Sequence, residues 1–160
     1  MATRYDAIIV GAGQAGPPLA GRLATAGQTV AVIERKLVGG TCVNYGCIPT
    51  KTLVASAHTA HTARRGAEYG IGTGDVTVDM AKVKARKDKV MLDDRHGVES
   101  WLEGMDGCTL IRGHARFEGR HTIRVDDQVL EADRIFLNVG GRAIAPEIPG
   151  LADVDYLTNV

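Results

Sequence analysis

A six-residue glycine pattern, Gly11-Ala-Gly-Gln-Ala-Gly16, constrains this chain more than any other feature. It follows a short apolar run, Tyr5-Asp-Ala-Ile-Ile-Val10, which reads as a buried strand ended by glycine. It opens an alanine- and leucine-rich stretch over about 14–26, where Leu19, Leu23 and Ala26 recur at helical spacing and Gly27 is the C-terminal stop. Thr29-Val-Ala-Val-Ile33 is a second apolar strand. Strand, helix and strand in so short a span make a βαβ unit whose strands are parallel and adjacent.

In such a unit each glycine has a task. Gly11 permits the tight turn, Gly13 lets a pyrophosphate approach the backbone, and Gly16 lets helix and strand pack closely. The helix N-terminus then faces the phosphates with free N–H groups and partial positive charge. Glu34, eighteen residues past Gly16 at the end of the second strand, is placed to accept hydrogen bonds from a ribose. The alternative is a glycine-rich turn that binds nothing, and the complete context argues against it. Pro17-Pro18 removes two N–H donors near the first helical turn, a position where proline is tolerated. The fingerprint alone does not separate FAD from NAD, and Arg35 and Lys36 also suit a 2′-phosphate.

Composition excludes several classes. Nineteen basic residues balance nineteen acidic ones in 160, so no global field recruits nucleic acid or an anionic membrane. No stretch approaches the roughly 18–20 apolar residues of a membrane span, and the N-terminus does not read as a signal peptide, so a cytoplasmic location is expected. Three cysteines are too few for a secreted disulfide framework.

Beyond a glycine-rich loop at 37–41, residues 43–65 read as helical from about Ile48, and 79–103 as a second helix. The apolar face of that second helix is Met80, Val83, Val90, Met91, Val98, Trp101 and Leu102, with Trp101 expected in the core. From 108 the texture turns to short β-type pieces: Thr109-Leu-Ile-Arg112, Ala115-Arg-Phe117, His121-Thr-Ile-Arg-Val125 and Gln128-Val-Leu130. These suggest an antiparallel meander, with Arg134-Ile-Phe-Leu-Asn-Val139 as a last apolar strand.

Cys42 and Cys47 have four residues between them at the entry to a helix. A disulfide between them would close a tiny loop and restrain little of the unfolded chain, so it would be a poor staple. A helix N-terminus stabilises a thiolate, so the position suits redox work better. Zinc is a poor fit, because no second Cys/His pair completes four ligands. The stretch holding both, Gly39-Gly-Thr-Cys-Val-Asn-Tyr-Gly-Cys-Ile-Pro-Thr-Lys51, resembles the redox-active motif of the class I flavoprotein disulfide reductases. That family includes glutathione reductase, dihydrolipoamide dehydrogenase and mercuric reductase, and the texture of GAGQAGPPLA and KTLVASA is similar to the mercuric-reductase-like members.

The resemblance implies an α/β, Rossmann-like FAD-binding domain over 1–150, a parallel βαβ sheet plus an antiparallel meander, with 151–160 starting the linker to a nicotinamide-binding domain. It implies that Glu34 binds the adenosine ribose of FAD and that Gly40 and Thr41 lie along its phosphates. Cys47 becomes the sulfur nearer the flavin and Cys42 the interchange thiol, while Lys51 approaches the flavin and Ala115 the adenine. Gly140 belongs to a second glycine motif, although Leu137-Asn-Val-Gly-Gly141 departs from the family's usual spelling there. NAD(P)H is the implied reductant, a small-molecule disulfide or Hg(II) the acceptor, and a homodimer the complete enzyme. The chain covers roughly a third of the family's length, so these residues alone are expected to bind flavin without turning over. A stand-alone thiol redox or nucleotide-binding module without flavin is the competing expectation.

Weaker signals point to nothing further. Lys82, Lys84, Arg86, Lys87 and Lys89 read as a solvated helix side, not a nucleic-acid site. His58 and His61 sit three apart without a third metal ligand, and Cys108 reads as a buried apolar side chain.

Overall fold

Glycine-bounded apolar runs become a six-stranded mixed sheet in the computed structural model, which describes residues 1–158. The strands are β1 (Thr3–Val10), β2 (Val30–Glu34), β3 (Cys108–Arg112), β4 (Arg116–Gly119), β5 (Thr122–Val125) and β6 (Gln128–Leu137). Their order is β3-β2-β1-β6-β5-β4. The first four in that order run parallel, and β6-β5-β4 run antiparallel. The helices are α1 (Gly16–Thr25), α2 (Gly40–Asn44), α3 (Cys47–Arg64) and α4 (Met80–Glu103).

Alternation along β1 divides the core into two layers. Ile8 packs with Ala31, Ile33, Ile111 and the meander residues Ile123, Val125 and Leu130. Ile9 faces the other way, toward Ala20 of α1, Val30, Val32, Val38 and Leu102 of α4. Both isoleucines are fully buried. The carboxyl ends of β1, β2, β3 and β6 therefore line up along one edge of the sheet, where ligands of open α/β sheets bind.

Three expectations need correcting. Thr109–Arg112 does not join the meander: it lies in β3, parallel to β2, with Val30 opposite Cys108 and Glu34 opposite Arg112. The helical excursion from α2 to α4 brings the chain back beside the amino end of β2, where the Val30 N–H donates to the Gly107 carbonyl, so β3 runs in the same direction as β2. Gln128-Val-Leu130 and Arg134–Leu137 are not separate strands but the two ends of one ten-residue strand. The polar stretch Glu131-Ala-Asp133 between them resembles a turn in sequence, yet Ala132 is buried in the core and Asp133 pairs with Arg4 of β1. Trp101, finally, is 47% exposed while its neighbour Leu102 is fully buried. Successive helical residues point about 100° apart, so only one of the two faces the sheet, and Trp101 instead lies over Gly21 of α1.

Two finer differences bear on the site. The loop expected at 37–41 gives way to α2 at Gly40, and α3 begins at Cys47 itself. Cys108 is half-buried, and that burial pushes its thiol up from the ordinary value. It sits at the start of β3, the edge of the sheet opposite the glycine turn.

Candidate functional site

The glycine turn closes on the end of β6. Gly11 has φ +109°, and a Cβ there would lie 2.1 Å from the carbonyl oxygen of Asn138, so both backbone angle and space demand glycine. Asn138 completes the closure: its amide nitrogen donates to the Gly11 carbonyl at 3.1 Å, and its backbone N–H to that of Val10 at 2.8 Å. Here the departure from the family's spelling, asparagine before Val-Gly, becomes a bond that ties two parallel strands together. Gly140, two residues on, is exposed with φ +68° and no atom near its Cβ position.

Glu34 stands beside this turn. One carboxylate oxygen accepts from the Ala12 backbone N–H at 2.9 Å and the other from that of Lys36 at 2.8 Å. Each oxygen keeps a lone pair for a further donor. The Glu34 carbonyl accepts from Gly113 N–H, which brings the 113–115 segment alongside, with half-buried Ala115 packed on the core.

The cysteines enter from the other flank. Gly40, at φ +59°, begins α2 so close to the turn that a Cβ would lie 2.8 Å from the Cα of Gly13. Gly40 therefore tolerates no side chain, and the rim between it and Gly13 is bare backbone. Thr41, exposed in the first turn of α2, accepts the N–H groups of Tyr45 and Gly46 on its carbonyl and so folds the chain back. That reversal sets Cys42 and Cys47 with Cα atoms 4.6 Å apart, joined as a disulfide. Cys47 is exposed at the first position of the eighteen-residue α3, and Cys42 is half-buried. Lys51 lies exposed one turn along the same helix.

Helix polarity favours anionic sulfur at Cys47. The first turn of α3 carries no carboxylate, and its last turn carries His61 and Arg64. An open groove of about 450 Å³ runs beside Cys42, lined by Gln14 of the glycine turn, Ile48, Asp93, Asp94 and Trp101. The disulfide and the turn thus share one cleft. The helix start offers fewer donors than the motif implies, since Pro17 and Pro18 have no N–H and Gly16 N–H is already bonded to Gly13.

Of the expected site residues, Gly11, Gly13, Gly16, Glu34, Gly40, Thr41, Cys42 and Cys47 lie together at one sheet edge. Asn44 and Arg95 were not among those expected. Asn44 is buried and its amide nitrogen donates to the carbonyls of Val38 and Gly40. Its oxygen accepts from Arg95 of α4. A buried asparagine between two cysteines was the available signal; its partner 51 residues away had none. His58 and His61 are exposed, and among the described residues no group of three or more His, Cys, Asp or Glu is arranged for a metal. None of the described helices is long and apolar enough to cross a membrane.

Known proteins resemble this chain in sequence and in fold. The chain is 37% identical over 157 residues to a mercuric reductase of Bacillus cereus, covering 97% of this chain and 25% of the relative. It is 34% identical over 154 residues to a dihydrolipoyl dehydrogenase of Acholeplasma laidlawii, covering 96% and 46%. The fold superposes with a TM-score of 0.75, at 35% identity, on the Cu(II) complex of the HOCl-induced flavoprotein disulfide reductase RclA from Escherichia coli, covering 94% of this chain and 32% of that one. The chain therefore spans between a quarter and a half of the length of these relatives. A family model described as pyridine nucleotide-disulphide oxidoreductase matches residues 5–160, the glycine turn and both cysteines within it. On that match and those identities, this Rossmann-like chain belongs to the pyridine nucleotide-disulphide oxidoreductase family.

Proposed function

We propose that residues 1–150 form the FAD-binding, disulfide-bearing part of an NAD(P)H-dependent disulfide or mercuric reductase, with 151–160 leading toward a nicotinamide-binding domain. Asn159 and Val160 of that last stretch lie outside the described residues. The observation that carries this reading is the shared cleft, in which Gln14 and Cys42 line one groove.

The residues present fit a flavin dinucleotide. The bare backbone where Gly40 meets Gly13 suits a pyrophosphate, and the Glu34 carboxylate, fixed by two amides, suits a ribose. When bound, a flavin supplies two-electron transfer between a nicotinamide and a disulfide. Everything else falls to the chain itself. Taking two electrons and two protons, Cys42–Cys47 becomes a dithiol. The Cys42 thiolate, open to the groove, attacks a substrate disulfide and releases one thiolate. Cys47, held as thiolate by the start of α3, then attacks Cys42, restoring the internal disulfide and releasing the second thiolate. With Hg(II), the same two sulfurs act as ligands. In the complete protein this unit works as a homodimer.

Reconstitution with FAD followed by desalting tests the reading. Retained flavin whose visible band shifts on mild reduction is the expected result, with the shifted band already present without reductant in Cys42→Ser and absent in Cys47→Ser. A colourless protein overturns the flavin assignment, and one whose disulfide still cycles supports a thiol module without flavin. These 160 residues hold one GxGxxG turn, so NAD(P)H-driven reduction by them alone is expected to be undetectable. Steady-state turnover would contradict that.

A further inference from the structure

Helix α4 reaches the helix of each cysteine with one arginine. Arg95 donates through Nε to Asn44 Oδ1 of α2 at 2.6 Å, and the Asn44 amide nitrogen donates to the Val38 and Gly40 carbonyls at 2.9 Å each. Arg86 donates to the Thr52 carbonyl of α3 at 3.0 Å and to the Ser56 hydroxyl at 3.4 Å. Thr52 in turn donates its hydroxyl to the carbonyl of Ile48, the residue after Cys47. In the oxidised chain, the disulfide ties α2 to α3 covalently, so these bonds duplicate a restraint that already exists. Once the sulfurs are reduced, that covalent tie is gone. Cys42 then sits on a five-residue helix, too short to hold its own shape, and the Asn44–Arg95 bond is the side-chain hydrogen bond that ties it to α4.

We infer that Arg95 is a positioning residue for the thiol pair: by gripping Asn44 it keeps the Cys42 turn against Cys47 in the dithiol state and thereby sets the disulfide–dithiol equilibrium. The inference deepens the proposed function and rests on its premise that the pair cycles. Loosening the turn costs the oxidised chain little, because the disulfide still holds it, but gives the reduced chain conformational freedom. Losing Arg95 therefore makes the disulfide easier to reduce. A guanidinium acting through its charge predicts the reverse, because removing it disfavours thiolates and protects the disulfide. The sign of the shift separates grip from charge.

The experiment equilibrates the chain in graded dithiothreitol buffers and counts alkylated cysteines by mass. Each conversion gives the chain two electrons and two protons while one dithiothreitol closes to its cyclic disulfide. Arg95→Ala is expected to move the equilibrium about tenfold toward dithiol, about 30 mV for this two-electron couple. Arg95→Lys, which keeps the charge but lacks the Nε–H, is expected to move the same way, and Lys89→Ala, an exposed change on the same helix, to match the parent. If Arg95→Ala fails to fold by circular dichroism, Arg95→Lys decides alone. An unchanged equilibrium, a shift toward disulfide, or full restoration by lysine overturns the inference while leaving the proposed function standing. A parent pair that stays oxidised throughout overturns both.

Discussion

The sheet and the α3–α4 helical arm are held by different forces. Ala7, Ile8, Ile9, Val30, Ala31 and Val32 are fully buried at the centre of the parallel strands. Of the eighteen residues of α3 only Thr52 is buried, and of the twenty-four of α4 only Leu102. Apolar burial fixes the glycine turn, whereas the helices around the disulfide rest on half-buried side chains and on arginine, asparagine and threonine hydrogen bonds. The difference suits two tasks. Under the proposed function, a turn that receives phosphates would gain from rigidity, while a thiol pair that opens and closes would need neighbours able to yield.

Truncation in the two regions gives the largest expected contrast. Ile8→Ala is expected to cost about 2–5 kcal/mol, because its cavity opens between two strands that cannot collapse onto it. Gly11→Ala acts on the same joint by forcing the Asn138 carbonyl away, and the end of β6 is expected to detach with it. Val54→Ala on α3 removes a side chain already 53% exposed and is expected to change stability by less than about 0.5 kcal/mol. Urea unfolding of the three variants measures this. If Val54→Ala costs as much as Ile8→Ala, the arm is packed like the sheet and the contrast fails.

The disulfide comes next in size. It spans a sequence separation of 5, so the chain-entropy argument gives it at most about 2 kcal/mol. Reduction, or the double change of Cys42→Ser with Cys47→Ser, is expected to lower the urea midpoint by less than Ile8→Ala does. A loss matching the core truncation would make the disulfide a staple rather than a redox device.

The same division governs what the sequence revealed. The βαβ unit was legible because buried parallel strands are near-continuous apolar runs and glycines bracket each of them. The cysteine pair was legible because its spacing and its glycines lie within thirteen residues. Yet β3 was misplaced, since alternation in a short strand looks the same whether its neighbour runs parallel or antiparallel. Only the path through α2–α4 decides the partner. The break expected within β6 had a similar origin: Glu131 and Asp133 are polar, but they flank Ala132, whose small side chain faces the core. On the amphipathic arm, an apolar stripe did not say which of Trp101 and Leu102 turns inward. Arg95 was invisible because its partner is set by helix packing and not by spacing.

Acid offers the smallest and most selective probe. Asp6 in β1 accepts the Thr29 backbone N–H at 2.7 Å and the Thr29 hydroxyl at 2.9 Å, which hold its carboxyl below the ordinary value. Asp88 in α4 is lowered likewise, by hydrogen bonds from Lys84 and then Lys87. A carboxyl depressed on folding contributes stability above its unfolded pKa and loses it as pH falls through the folded one, so both contributions fade below about pH 4. Their reach differs. Asp6 joins β1 to the residue before β2, 23 positions away, whereas Asp88 bonds only within its own helix. Between about pH 5 and pH 3, Asp6→Asn is therefore expected to flatten the fall of the thermal midpoint more than Asp88→Asn does. Equal flattening would mean that the helical arm unfolds with the sheet and shares its restraints. A larger effect at Asp88 would reverse the assignment of rigid and yielding halves.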